Sequence, residues 1–256
     1  MSVTATLKKS DLKRLMLAGS KTPDNLQVGV EWEKIGVFSE TGEAIPYSGP
    51  RGVEAIFKAL IGRFGWNPVF SSGHIIALLK NDSSITLEPG GQIELSGQKA
   101  HALDDNRKEL ETHLREIQSV SEPLGITLLG LGLQPFSGEA SIEWVPKERY
   151  RIMRERLKKN GLLTTRMMKQ TASIQISLDF VDERDAVVKL RLAMALAPIL
   201  SAVFANSPLS EGKISPYLSA RAHIWLHTAP ERTGILHAVF NPGFTMEDYV
   251  DRKSVV

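Results

Sequence analysis

Ile85-Thr86-Leu87-Glu88-Pro89-Gly90-Gly91-Gln92-Ile93-Glu94-Leu95-Ser96-Gly97 reads as two short strands joined by a Pro-Gly-Gly turn. Pro89 presets the first corner, and Gly90 is expected to supply the positive φ of a type II turn. Side chains alternate along a strand. Thr86 and Glu88 therefore share a face before the turn, and Gln92 and Glu94 share one after it. Two carboxylates brought close by a tight turn repel each other unless something positive lies between them. A divalent metal ion is the usual answer.

A second segment repeats the device. In Gly29-Val30-Glu31-Trp32-Glu33-Lys34-Ile35-Gly36-Val37-Phe38 the carboxylates Glu31 and Glu33 sit two apart on one strand face, with Val30 and Trp32 on the other. Lys34 falls on the face opposite the glutamates and is expected to support a site there without entering it. A solvated strand face and a metal-binding face are the two readings of such a pattern. Thr171-Ala172-Ser173-Ile174-Gln175-Ile176-Ser177-Leu178-Asp179-Phe180 also alternates, with Thr171, Ser173, Gln175, Ser177 and Asp179 on one side and an apolar row that must pack on helices on the other. Its polar face reads either as a solvated outer strand or as a ligand surface. Arg221, His223 and Trp225 alternate as on a strand. Arg221 is either half of a structural ion pair or a fork for a substrate carboxylate.

Around these segments the pattern predicts a short helix over residues 10–19, helices over 52–64 and 103–124, a buried apolar strand over 126–133, a basic helix over 147–159, a long strand over 168–180 and a long helix over 182–206. Asp182 is the expected N-cap of the last, and Pro198 a kink. Strands and helices follow no βαβ repeat. The fold class expected is α+β, a mainly antiparallel sheet backed by helices.

The chain has 256 residues, 42% hydrophobic, with a formal charge of +2 and no cysteine. That suits one globular domain with a sizeable core. A near-balanced charge with scattered basic residues points away from nucleic acid. Without cysteine there is no disulfide scaffold, thiolate metal site or thiol nucleophile. No window is expected to reach membrane length, and a cytoplasmic location is the expectation. There is no P-loop, dinucleotide fingerprint or kinase signature, and nothing in the sequence reports oligomeric state.

Gly29–Phe38, Leu87–Gly97, Trp144-Val145-Pro146-Lys147-Glu148-Arg149-Tyr150-Arg151-Ile152-Met153-Arg154, Thr171–Phe180, Phe204-Ala205-Asn206-Ser207-Pro208-Leu209-Ser210-Glu211-Gly212-Lys213 and Arg221-Ala222-His223-Ile224-Trp225 occur in order. Together they resemble the plant and proteobacterial type of glutamate–cysteine ligase, over residues 25–250. The resemblance implies a curved, glutamine synthetase-like catalytic sheet and ATP-dependent joining of cysteine to the γ-carboxylate of glutamate, the first step of glutathione synthesis. It also implies Mg²⁺ as the metal and ATP, glutamate and cysteine as small-molecule substrates. On this reading Glu31, Glu33, Glu88 and Glu94 are the candidate metal ligands. Arg221, Gln92, Gln175, Thr171 and Ser173 are the candidate substrate-binding residues, and no catalytic base is singled out. Where the resembled family commonly has asparagine, this chain has Ser177.

The resembled family continues past residue 250. Residues 1–250 are therefore expected to be part of a catalytic domain, incompetent alone. Residues 251–256, which translate one frame of a common sequencing adapter, are expected to be a non-native tail. A related carboxylate–amine ligase, using another amine or feeding ergothioneine synthesis, and a non-catalytic metal or amino-acid binding module are the alternatives.

Overall fold

The computed structural model describes residues 8–157, 163–229 and 233–254. In chain order the elements are α1 (Lys9–Leu17), β1 (Val28–Phe38), α2 (Val53–Phe64), β2 (Asn67–Ser71), β3 (His74–Lys80), β4 (Ser83–Leu87), β5 (Ile93–Ser96), α3 (Leu103–Ser121) and β6 (Ile126–Leu129). There follow α4 (Glu148–Leu157), α5 (Thr164–Gln170), β7 (Ile174–Leu178), α6 (Glu183–Val203), the short pair β8 (Leu209–Ser210) and β9 (Lys213–Ile214), α7 (Ala220–Leu226) and α8 (Met246–Ser254). The end of the expected basic helix and residues 255–256 of the expected tail lie outside the described residues. Residues 251–254 continue α8.

Seven strands form one antiparallel sheet in the order β2-β3-β4-β5-β1-β6, with β7 also on β1. β1 is its spine, pairing with β5 over Glu31–Lys34, with β7 over Val28–Trp32 and with β6 over Ile35–Phe38. Because β5 and β7 overlap on the same residues of β1, they lie on opposite sides of it.

The alternation read from the sequence sets what each face buries. Trp32 of β1, Ile85 and Leu87 of β4, and Ile93 and Leu95 of β5 point to the back. There they pack with Val53, Ile56, Phe57 and Leu60 of α2 and Ile117 and Val120 of α3. Burying side chains of this size contributes about 1.5–3 kcal/mol each. α2 follows its expected periodicity, and α3 runs to Ser121 before a 3₁₀ turn closes at Gly125 in the left-handed conformation.

The helical layer stops at β1. The back-facing residues of β7 are bare: Ile174 is 66%, Ile176 63% and Leu178 57% exposed. The expectation that this row packs on helices is not met among the described residues. α6, the next helix, packs instead against residues 237–240 and α8. Along α6, Val188, Leu192, Leu196, Ile199 and Val203 are exposed at helical spacing.

Several boundaries differ from expectation. Residues 168–170 belong to α5, and the strand starts only at Ile174. β6 covers four residues, with Thr127 facing solvent, so it is not buried on both faces. Asp182 caps α6 by accepting from the Asp185 backbone N–H at 2.8 Å, as expected. α6, at 21 residues, is long and apolar enough to cross a membrane by length and composition, contrary to the expectation that no stretch reaches that measure.

Candidate active site

The turn between β4 and β5 closes with Gly91 N–H donating to the Glu88 carbonyl at 2.9 Å, and Glu88 N–H donating to the Gln92 carbonyl at 3.0 Å. The positive φ falls on Gly91, at 84°, and not on Gly90. The turn is therefore of the type I plus left-handed-residue kind, which adds one residue and twists the hairpin. Gly90 is needed for a different reason. A Cβ there would run into the carbonyl oxygen of Lys169.

This hairpin carries Glu88 and Glu94 to the front of the sheet, beside Glu31 and Glu33. Glu33 and Glu94 are direct cross-strand partners on β1 and β5. The backbone of Glu33 bonds toward β7, so the pair is of the non-hydrogen-bonded kind that brings side chains closest. Like charges placed there are destabilising. Glu94 is held by Thr86 Oγ1 at 3.0 Å and Ser96 Oγ at 2.9 Å. Glu33 accepts from the Ser173 backbone N–H at 2.8 Å and from Gln175 Nε2 at 3.0 Å. Glu31 and Glu88 make no side-chain hydrogen bond to a described residue.

The electrostatics record the crowding. Burial, and then the charges of Glu88 and Glu94, push Glu33 up from the ordinary 4.5 to about 7. Burial and Glu94 raise Glu31. Burial and Glu94 also raise Glu88, while Lys147 and Arg149 pull it back. Three carboxyls reluctant to ionise together form a site short of positive charge. All its donors are hard oxygens, the chemistry that suits Mg²⁺ or Ca²⁺. Among the described residues no three acidic or histidine side chains are already closed into a metal-holding group. Glu31 and Glu88 have no hydrogen bond to give up in closing.

The substrate candidates divide. Arg221 lies at the edge of this cluster, within the field of Glu33. Burial lowers its pKa and the Glu33 charge opposes that. Its Nε is buried without a partner, and it makes no ion pair with a described carboxylate. Gln175 reaches Glu33 and is exposed. Gln92, by contrast, is buried and engaged. Its Oε1 accepts from Gly90 N–H at 2.9 Å, and its Nε2 donates to the carbonyls of Met168 at 3.3 Å and Thr171 at 2.7 Å. Thr171 is buried and donates to the Met167 carbonyl at 2.6 Å. Ser173 touches Glu33 through its backbone. Arg221 does not sit on a strand: residues 220–226 are the helix α7, capped by Ser219. His223 stacks between Tyr217 and His227, each at 4.3 Å.

Two cations complete the surroundings. Lys147, read from sequence as part of an exposed basic helix, precedes α4. It donates to the Leu87 carbonyl at 2.8 Å and lies in the field of Glu88. It also lines a cavity of ≈ 320 Å³ with Trp144, Arg151, Arg154 and His74. The signal available was the Pro-Lys-x-Arg-Tyr run, whose first cation falls before the helix. Lys34 is buried behind the sheet, its Nζ donating to the Trp32 carbonyl at 2.7 Å. Burial lowers it to about 7 against the pull of Glu94 and Glu33.

An antiparallel sheet backed by helices, presenting clustered carboxylates beside an unpaired guanidinium and a basic cavity, defines an α+β domain with its polar groups gathered on one sheet face. The sequence pattern of glutamate-cysteine ligase family 2 matches residues 27–256. The chain belongs to the glutamate-cysteine ligase family 2. It is 41% identical over 251 residues to glutamate–cysteine ligase B, chloroplastic, of Oryza sativa subsp. japonica, covering 98% of this chain and 50% of that protein. It is 40% identical over 248 residues to the chloroplastic glutamate–cysteine ligases of Arabidopsis thaliana and Medicago truncatula, covering 97% of this chain and 47% and 48% of theirs. The chain thus spans about half the length of these relatives.

A pH dependence follows from Glu33. The folded chain keeps a proton on it between about 4.5 and about 7, where the unfolded chain has lost it. Its contribution to stability therefore falls as pH rises through that window. Lys34 acts only above about 7, while His113, whose pKa burial lowers from 6.5, opposes the carboxylates up to about 6.5 and has no further effect between there and 7. A cation bound at Glu33 must displace that proton. Mg²⁺ should raise Tm more at pH 8 than at pH 6, as read by thermal scans with and without the ion. An equal shift at both pH values would remove Glu33 from the site.

Proposed function

We propose that this chain contributes the glutamate- and metal-binding face of an ATP-dependent glutamate–cysteine ligase, acting in the cytoplasm. The observation that carries this is the crowding of Glu31, Glu33, Glu88 and Glu94 on one sheet face beside the unpaired Arg221, in a chain of this family.

A carboxylate is a poor electrophile, because attack must expel a strongly basic oxygen. Transfer of the γ-phosphoryl group of ATP to the γ-carboxylate of glutamate gives an acyl phosphate and ADP. The amine of cysteine then attacks the acyl carbon, the C–O bond to phosphate breaks, and the amine loses a proton. γ-Glutamylcysteine and phosphate result. Nearly every reactant is anionic, so positioning and charge neutralisation are what the protein must supply. Glu31, Glu33, Glu88 and Glu94 would hold Mg²⁺, which when bound neutralises phosphate oxygens. Arg221 offers a planar fork to a carboxylate of glutamate. The cavity beside Lys147 supplies cations and the Trp144 ring for the nucleotide. Gln175 holds Glu33 in orientation.

The test is phosphate release from ATP by the chain joined to the remaining half of a full-length relative. Release that requires both glutamate and cysteine supports the proposal. Release requiring a different amine makes it a related ligase, and glutamate binding without release makes it a binding module. In the same protein Arg221→Lys keeps the charge and loses the fork. The KM for glutamate should rise roughly tenfold, the equivalent of about 1.4 kcal/mol. An unchanged KM would show that Arg221 faces no substrate carboxylate.

A further inference from the structure

A stack of three rings at the end of α7 has no part in the ligase chemistry. His223 and His227 stand four residues apart, so their side chains meet on one helix face. Their ring centroids are 4.3 Å apart, with the planes tilted by 39°. The Tyr217 ring also stacks on His223, at 4.3 Å and 14°. Tyr217 is itself held, its backbone N–H donating to Ser215 Oγ at 3.1 Å. His227 is exposed and His223 half-buried, so both rings are open to solvent.

The hydrogen bonding prepares this pair for a cation. His227 Nδ1 lies 2.8 Å from the His223 carbonyl. A carbonyl only accepts, so Nδ1 carries the proton and the lone pair is left on Nε2. A backbone carbonyl on the second nitrogen is a common orienting partner of a metal-ligating histidine. The His223 ring makes no hydrogen bond to a described residue, and neither histidine is an acid's ion-pair partner among the described residues.

We propose that His223 and His227 form a second metal site, a two-imidazole clamp for Zn²⁺ or Cu²⁺, separate from the carboxylate cluster and independent of the ligase reading. Two histidines four apart on a helix are a recurrent zinc-gripping arrangement. Imidazole nitrogen suits Zn²⁺ and Cu²⁺, whereas Mg²⁺ prefers carboxylate and water oxygens. The two sites therefore select different ions from one solution, and the chain has no cysteine to compete for the softer one. A tetrahedral ion holds two nitrogens about 3 Å apart. Rings already 4.3 Å apart at their centroids reach that spacing by rotation about their side-chain bonds. Among the described residues no third acid or histidine closes on the pair, so water fills the remaining positions. The bound ion joins the start and end of the last turn of α7, the seven-residue helix that carries Arg221. A helix so short is marginal by itself, and a cross-link over one turn favours it.

The test titrates Zn²⁺ into the untagged chain by calorimetry, with excess Mg²⁺ present to occupy the carboxylates. Binding of one Zn²⁺ per chain is expected. His227→Gln should weaken it about 100-fold, because the second ligand of a chelate acts at high effective concentration. His223→Gln should do the same. Cu²⁺ in place of Zn²⁺ should show coupling to two nitrogens by electron paramagnetic resonance in the parent and to one in either variant. Circular dichroism without metal checks the fold. His227 is exposed, so its variant decides the matter even where His223→Gln misfolds. Absence of Zn²⁺ binding, unchanged affinity in His227→Gln, a copper spectrum lacking the second nitrogen, or displacement of Zn²⁺ by Mg²⁺ would each overturn the proposal.

Discussion

Glu88→Gln in the assembled ligase should lower turnover at limiting Mg²⁺ about 100-fold. Glutamine keeps the size of the side chain and removes one charge and one hard donor. Of the four carboxylates, Glu88 is placed by a turn, makes no side-chain hydrogen bond to a described residue, and is flanked by Lys147 and Arg149. Its charge is thus stabilised by groups that can also face phosphate, and no structural bond depends on it. Losing one of four ligands to a cation that neutralises phosphoryl oxygens forfeits about 3 kcal/mol of transition-state stabilisation. The measurement is phosphate release across an Mg²⁺ titration. Excess Mg²⁺ should restore part of the rate. Near-normal turnover at limiting Mg²⁺ would exclude Glu88 as a ligand.

Gly90→Ala should destabilise the chain by about 2–3 kcal/mol, the range for forcing an extra methyl into a packed site. The added carbon meets backbone, the Lys169 carbonyl, and not the movable end of a side chain. Relief requires the turn to lift off α5, which breaks the hydrogen bonds of Gln92. Gly62→Ala is the control. Gly62 lies within α2 with open space around its Cα, and alanine there should stabilise by up to ~1 kcal/mol. Urea midpoints at constant m-value report both. Equal stability of Gly90→Ala and the parent would show that the turn does not rest on α5.

What could be read from the sequence was whatever repeats with one period over a long enough stretch. α2 and α3 announced themselves by apolar spacing, and β1 by alternation that put Glu31 and Glu33 opposite Trp32. The hairpin was visible in Pro89-Gly90-Gly91. The residue taking positive φ was not, because both neighbours are glycine and only the contact with Lys169 separates their roles. Arg221 was misplaced on a strand because residues 221–225 fit either period: Arg221 and Trp225 are two steps apart on a strand face and one turn apart on a helix. Their side chains do meet, guanidinium over ring at 5.6 Å. Ser219, an N-cap residue, was the local signal. The bare back of β7 could not be read at all, since alternation says which side chains share a face and not whether anything covers them.

The amide of Gln92 ties three pieces of chain into one rigid joint: the acidic turn, the end of α5 and the residue from which the next strand departs. That joint is a lever arm. A load applied to β7 passes through Thr171 to Gln92 and from there to the turn bearing Glu88, while Ser173 and Gln175 carry the same load to Glu33. The position of the outer strand and the spacing of the carboxylates on the front face are therefore tied by the same few hydrogen bonds.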